Sequence, residues 1–470
     1  MSWEMVAGLE THVELSTLTK IFCSCSTQFG GAPNTHCCPV CTGQPGSLPA
    51  LNARVVEYAM MAGLALGCEL NTRSVMARKH YIYPDLPKAY QISQYEAPLC
   101  TGGYLTLSSG RRIGITRIHI EEDAGKLIHE DGVVLIDYNR GGVPLIEIVT
   151  EPDFRSPDEV TEYLESLQGI FRSIGVSDCR MQEGSMRCDV NISVRRQGEA
   201  ELGTRTEIKN MNSLSFITKA IKYEFERQVN LLEKGREVIQ ETRRYDEKSD
   251  MTEGMRGKED ADDYRYFPEP DIVTILISDD MIARLRASLP ELPDAKVKRY
   301  VRAFGLPERD AQLLVKYKRI AAYFEEASYG LRQPKNAANF ILGQVFQLLG
   351  TDEHKEQADI PASAADLNVL LKKVDDGKLN VNQARAIFAR MLTGEKLSEI
   401  PIDGTKRISH ADLAEICKAV IGENPAAAAD YQSGKEKAIQ TLIGGVMKRT
   451  KGNADAAEAK KVLVSLLGRP

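Results

Sequence analysis

The sequence predicts an α+β fold, an antiparallel sheet cradle followed by helices, and three observations carry that expectation. Several segments before residue 293 alternate apolar and polar residues with a period of two, as half-buried strands do. Their polar rows repeat one design, carboxylates set beside Arg and Lys. Around Leu289-Pro290-Glu291-Leu292-Pro293 the texture changes, and Ala, Leu, Glu and Lys at helical spacing take over. At 470 residues the chain exceeds a single core, so two to three domains are expected. A domain boundary is expected near Pro293, with a cysteine knuckle at 23–41 before it and helices after it. Breaks at Pro307, Pro334, Pro361 and Pro401 fit a bundle of short helices.

Composition narrows the function classes. A net charge of −6 with 27% charged residues argues against a wholesale nucleic-acid coat, though not against a local basic patch. No apolar run is long enough to span a bilayer. Met1-Ser2-Trp3-Glu4 lacks the basic-then-apolar pattern of a secretory signal, so a cytoplasmic protein is expected. The ten cysteines then suggest metal ligands or inert core thiols rather than disulfides.

In chain order, Met5 to Leu15 comes first. Leu9, Thr11, Val13 and Leu15 point one way, and Glu10, His12 and Glu14 the other. A carboxylate–imidazole–carboxylate row suits a hard divalent cation, and a merely solvated strand face is the competing reading. Cys23 and Cys25 (Cys-x-Cys) and Cys38 and Cys41 (Cys-x-x-Cys) flank a Gly/Pro-rich loop, the pattern of a tetrahedral Cys₄ zinc knuckle; His36 and Cys37 are substitutes. Four thiolates leave no open position, so that zinc is structural. Leu48 to Leu70 reads as a helix. Arg78 to Gln91 is a proline-broken loop rich in cations and aromatics, able either to clamp phosphates and stack a base or simply to lie exposed.

Residues 116–153 form the most informative stretch. Ile118 and Ile120 alternate with Arg117, His119 and Glu121; Glu121, Glu122 and Asp123 then stand in a row. Leu145 to Thr150 carries Glu147 among apolar neighbours, where a carboxylate must be neutral, paired or on a metal. Asn139 to Pro144, including Arg140, is a tight turn. Pro157 to Ile174 is an amphipathic helix. Met186 to Val194 alternates again and puts Arg187, Asp189 and Asn191 on one face; Arg205, Glu207 and Lys209 line up in the next alternating segment. Leu214 to Gly235 is a charged helix, and Arg236 to Asp271 reads as polar and irregular. A sheet with one face on helices and the other lining a polar basin follows, suited to Mg²⁺-assisted phosphoryl transfer. It is not a P-loop site, because Gly125-Lys126 and Gly434-Lys435 lack the following Ser or Thr. Lys435, Lys437, Lys448 and Lys451 in the tail fit an RNA-backbone contact, or a solvated helix face.

Several stretches together resemble the GatB family, a component of the tRNA-dependent amidotransferases. They are GLETHVEL (8–15), the knuckle with CPVC, RKHYIYPDLPKAYQISQ (78–94), HIEEDAGK (119–126), IDYNRGGVPLIEIV (136–149), GSMRCDVNISV (184–194), GTRTEIKN (203–210), DYRYFPEPD (263–271) and GKEKAIQTLIGGVMKRTKG (434–452). The resemblance implies a glutamine-synthetase-like cradle domain over 1–293, an all-α helical domain over 294–405 and a small α-helical tail domain over 406–470, the cradle phosphorylating the side-chain carboxylate of Glu-tRNA(Gln) or Asp-tRNA(Asn) with ATP. Ammonia from the amidase GatA would then displace the phosphate, with GatC tying the assembly together. It implies magnesium on Glu10, His12 and Glu122, with Glu147 and Asp189 nearby, and Glu122 as the gate at the ammonia tunnel. Lys79, Lys88, Arg140, Arg205 and Lys209 are the expected phosphate or carboxylate contacts, with ATP on Lys79, Lys88 and Arg140, and the tail approaches the tRNA elbow. The alternative is a stand-alone glutamine-synthetase-type ligase for a small amino acid. The helical half argues against it, since a small substrate would not need one.

Overall fold

A computed structural model describes residues 2–257, 264–401, 410–450, 454 and 456–468. The chain forms two compact units, Met1–Leu292 and Pro293–Pro470. The first is α+β, and among the described residues the second is helical throughout.

Seven strands make the body of a ten-stranded sheet: β1 (Trp3–Glu14), β2 (Arg112–Glu122), β3 (Pro144–Thr150), β4 (Met186–Arg196), β5 (Thr206–Lys209), β6 (Glu241–Asp246) and β7 (Met251–Gly257). Their order is β7-β6-β5-β4-β1-β3-β2; the short strands Cys100–Thr101 and Glu69–Leu70 extend the β2 edge, and the tenth, Tyr104–Thr106, pairs with the start of β2. All neighbours run antiparallel except β5 and β6, which are parallel. The long central strand β1 places His12 opposite both Glu147 and Arg187, and Glu10 opposite Asp189. In β2 a bulge falls at Thr116: Val149 pairs with Arg117, whereas Thr150 pairs with Ile115. The extra residue resets the alternation, which lets Ile113 and Ile115 before it and Ile118 and Ile120 after it all be buried.

One face of this sheet is apolar and carries three helices, α1 (Ala53–Ala65), α2 (Pro157–Ile174) and α3 (Leu214–Glu233). Val160, Tyr163, Leu164, Leu167, Phe171 and Ile174 recur at helical spacing on α2 and are all buried in the core shared with Leu9, Val13, Ile120 and Val190. The start of α2 is set locally: the Ser156 hydroxyl accepts the Glu159 N–H at 3.2 Å, Pro157 occupies the first turn, and Asp158 and Glu159 face the positive end of the helix dipole. Gly175, at φ 76°, ends it in a left-handed cap. The Leu48–Leu70 expectation overshoots, since α1 starts only after the Asn52 cap and its C-cap is Leu66.

The reading of Arg236 to Asp271 as irregular is corrected. It contains the hairpin β6–β7, whose cross-strand partners include Arg244 and Glu253 at 2.8 Å. β7 is the sheet edge, where charge blocks further pairing, and β6 carries charged residues around its one aromatic, Tyr245, so the apolar alternation that flags a strand is missing from both. The second unit has two apolar clusters, one spanning Tyr300 to Ile400 and one Leu413 to Leu463. Among the described residues no helix is long and apolar enough to cross a membrane.

Candidate active site

The sheet face opposite the helices is polar because five neighbouring strands alternate in phase. From β5 to β2 it presents Glu207 and Lys209, then Asp189 and Asn191, then Glu10 and His12, then Glu147, and finally His119 and Glu121. Two acid-rich groups form on it. His12, Glu121 and Glu147 bring one imidazole nitrogen and two carboxylate oxygens within 4.8 Å of one another; Glu10, Asp189 and Glu207 do the same with three carboxylates.

In the first group the His12 Nε2 lies 3.4 Å from both Glu121 Oε1 and Glu147 Oε2. His119 Nε2 stands behind them, 3.3 Å from Glu147 and 3.7 Å from Glu121, and its Nδ1 is buried with no hydrogen-bond partner among the described residues. Burial favours a neutral His12 ring, but Glu147, Glu121 and Asp189 outweigh it and lift its pKa to about 9. Burial likewise pushes Glu147 up, yet His119 and His12 hold it well below the usual carboxylate range. Two anionic oxygens and one imidazole suit a hard divalent cation better than a soft one.

In the second group Lys209 Nζ donates to Asp189 Oδ2 at 2.7 Å and lies 3.1 Å from Glu207 Oε1. Asn191 Nδ2 donates to Glu10 Oε1 at 3.0 Å. Burial, then Glu147, raises the Glu10 pKa, while Asn191 works against both. Farther along the same face Arg187 Nη2 donates to Asp123 Oδ2 at 2.7 Å. Burial and Asp123 raise the nearby Glu14 carboxyl to about 8.

The structure does not bring Glu122 to His12, which corrects the expected Glu10–His12–Glu122 set. Adjacent strand residues point to opposite faces, so Glu121 shares the face of His119, and Glu122 shares that of Ile118 and Ile120. There Glu122 is paired with Lys88, whose Nζ donates to its two oxygens at 2.5 and 2.6 Å, and it also accepts the Ile92 N–H at 2.9 Å. This pair lines a cleft of about 250 Å³ with Phe22, Cys41 and Tyr90.

The remaining expected contacts scatter. Lys79 stands 4.6 Å from the Tyr264 ring centre, on the small sheet of Ala77–His80, Tyr90–Ser93 and Phe267–Pro268. Arg140 is committed to the turn, donating to the Ala124 and Gly125 carbonyls at 3.0 and 2.9 Å, with Asp123 at 3.5 Å. Arg205 is exposed just before β5. Lys435 pairs with Asp430 at 2.8 Å, Lys437 and Lys448 are exposed, and Lys451 lies outside the described residues.

Cys23, Cys25, Cys38 and Cys41 do come together, with their sulfurs within 4.8 Å of one another. The Cys38 N–H reaches Cys41 Sγ at 3.1 Å, an arrangement that holds a thiolate, and a hydrogen bond from Cys23 draws the Cys41 thiol down to about 4. Four sulfurs fit a tetrahedral soft-metal site. Cys37 instead faces the Asn34 and Asn139 side chains at 3.9 and 3.8 Å. The expected ligand set omits Glu121, His119 and Glu207. Strand parity could have found Glu121, because only it alternates in step with His119; the Glu207 position depends on the β4–β5 register.

Comparison with known proteins adds independent findings. The GatB/GatE catalytic domain family matches residues 5–283, and a GatB domain family matches residues 322–467. The B subunits of aspartyl/glutamyl-tRNA(Asn/Gln) amidotransferase from Thermoanaerobacter pseudethanolicus and Thermoanaerobacter sp. X514 are each 50% identical over 477 residues, covering all of both chains. The protein of the same name from Caldanaerobacter subterraneus is 50% identical over 98% of this chain and 99% of its own.

Proposed function

The chain belongs to the GatB/GatE family of amidotransferase components, and from that premise we infer that it is the carboxylate-activating component of a glutamine-dependent, tRNA-dependent amidotransferase, a carbon–nitrogen ligase. Its substrates are ATP and the misacylated Glu-tRNA(Gln) or Asp-tRNA(Asn). A carboxylate resists ammonia because oxide is a poor leaving group. Transfer of the γ-phosphoryl group to a carboxylate oxygen gives an acyl phosphate and ADP. Ammonia then attacks the acyl carbon, phosphate leaves, and the amide remains.

The observation that carries this reading is the His12–Glu121–Glu147 group, set on the open polar face beside Lys209. The residues present fit magnesium there, with His12, Glu121 and Glu147 as its holders and Glu10 next to them. When bound, the ion would neutralise charge on the phosphoryl oxygens and orient them. His119 buttresses the two carboxylates from below the basin. Lys209 adds positive charge for the transferred group. Lys79, with Tyr81 and Tyr264 beside it, offers a cation and aromatic faces to the nucleotide. Lys88 and Glu122 close the cleft on the other face, the side from which ammonia would be delivered by the amidase GatA, with GatC completing the complex. The Cys₄ knuckle holds structural zinc and orders a loop that buries little apolar surface of its own. The exposed lysines of the tail approach the tRNA, and the protein works in the cytoplasm.

The test is a reconstituted reaction with the two partner proteins, glutamine and ATP. ADP and amidated tRNA should form together and only with misacylated tRNA present. Glu121→Gln should abolish both while leaving glutaminase activity of the partner intact. Turnover of free glutamate in place of the charged tRNA would instead support the stand-alone ligase.

A further inference from the structure

The second acid group is overloaded for a structural ion pair. Lys88 bonds a single carboxylate, Glu122, which is buried, and its own side chain is 14% exposed. Lys209 instead sits among three acids, 2.7 Å from Asp189 and 3.1 Å from Glu207, with Glu10 completing the group, and its side chain remains 40% exposed toward the basin. Two of the acids are also held by other donors, Glu10 by Asn191 at 3.0 Å and Glu207 by the Thr242 hydroxyl at 2.7 Å. Glu10 and His12 are alternate residues of β1, so this group lies only about 7 Å along the strand from the His12 group and opens onto the same face.

We propose that the Lys209 ammonium is a resident second cation, so that the basin works with one divalent ion at His12, Glu121 and Glu147 and one fixed ammonium among Glu10, Asp189 and Glu207. The ammonium offers positive charge and three donors without requiring a second ion to be recruited, and it meets a bound polyphosphate from the side away from His12. Lys209 is therefore a specificity-determining residue for metal number, and its removal turns the acid group into a divalent site. The inference rests on the reading of the His12 group above only for the location of the first ion.

The test counts ions. Full-length, zinc-loaded protein is titrated with Mn²⁺, and free Mn²⁺ is measured by electron paramagnetic resonance. Lys209→Met should bind one Mn²⁺ per chain more than the parent, Lys209→Arg should bind no more than the parent, and Glu207→Gln added to Lys209→Met should remove the extra ion. An unchanged count in Lys209→Met, or the same gain in Lys209→Arg, overturns the proposal. If Lys209→Met does not fold, Lys209→Gln removes the charge with donors retained and carries the same count. His12→Ala is the separate arm: it should remove the parent's own ion, and its failure strikes the proposed centre while the difference made by Lys209 still stands or falls by itself.

Discussion

Replacing Arg78 by Met isolates the interaction that pins the aromatic, lysine-bearing edge of the site. Arg78 donates to both oxygens of Glu269 at 2.6 and 2.8 Å, and the Glu269 side chain is 0% exposed. The guanidinium also lies 4.3 Å from the Tyr90 ring centre. Removing one partner of such a pair strands a buried charge and costs about 3–5 kcal/mol, against about 0–1 kcal/mol for an exposed pair. Among the described residues the Asp271 N–H, at 3.0 Å, would remain as the hydrogen bond on the carboxylate, with the Lys88 charge nearby. Adding Glu269→Gln should recover most of the loss, since a neutral amide keeps the shape without the stranded charge. The pH dependence has a definite sign. Burial pushes Glu269 up, but Arg78 outweighs it and holds the carboxyl below its usual range. In the parent protein that stability is present above the unfolded pKa and is lost as pH falls through the folded one. Arg78→Met removes the largest influence opposing burial and leaves only the Asp271 N–H and Lys88 against it, so the folded pKa moves up and the penalty eases as acid protonates the carboxyl. The defect at pH 7 should therefore shrink by pH 5. Trp3, the single tryptophan, lies in β1, so its fluorescence during guanidinium unfolding reports the first unit. A defect below about 1 kcal/mol, an equal defect at both pH values, or no rescue in the double variant would refute the reasoning.

Other outcomes follow from the same geometry. Glu121→Gln and Glu147→Gln should each weaken Mn²⁺ binding by more than the 10–100-fold typical of an outer-shell change, whereas Glu122→Gln should leave it within a few-fold; Mn²⁺ titration by electron paramagnetic resonance decides between them. Cys41→Ser should reduce zinc from about one per chain to near none by elemental analysis and lower the melting temperature; undiminished zinc would reassign the knuckle. Phe171→Ala, at a fully buried position of α2, should cost about 3–5 kcal/mol in the Trp3-monitored transition, and a cost under about 1 kcal/mol would mean that the helix does not anchor the sheet.

What the sequence determined by itself is whatever short-range periodicity encodes. The alternation in β1, β2, β3 and β4, the capped and amphipathic α2 and the paired cysteines were all legible, because each depends on the pleat, on the helical repeat or on ligand spacing along a few residues. The family resemblance was legible for a similar reason, being carried by contiguous motifs. Tertiary structure decided which acids meet. Glu121 and Glu122 are neighbours in chain order but face opposite sides of β2, one toward His12 and Glu147 and the other toward Lys88. Glu207 joins Glu10 only because β5 pairs with β4 in the register that sets it opposite Asn191. The hairpin β6–β7 escaped notice because β7 lies at the sheet edge and both strands are rich in charged residues that mask the apolar pattern. Strand pairing is long-range: a shift of one residue would turn a whole row of carboxylates from the basin into the core, and no local pattern records which register wins.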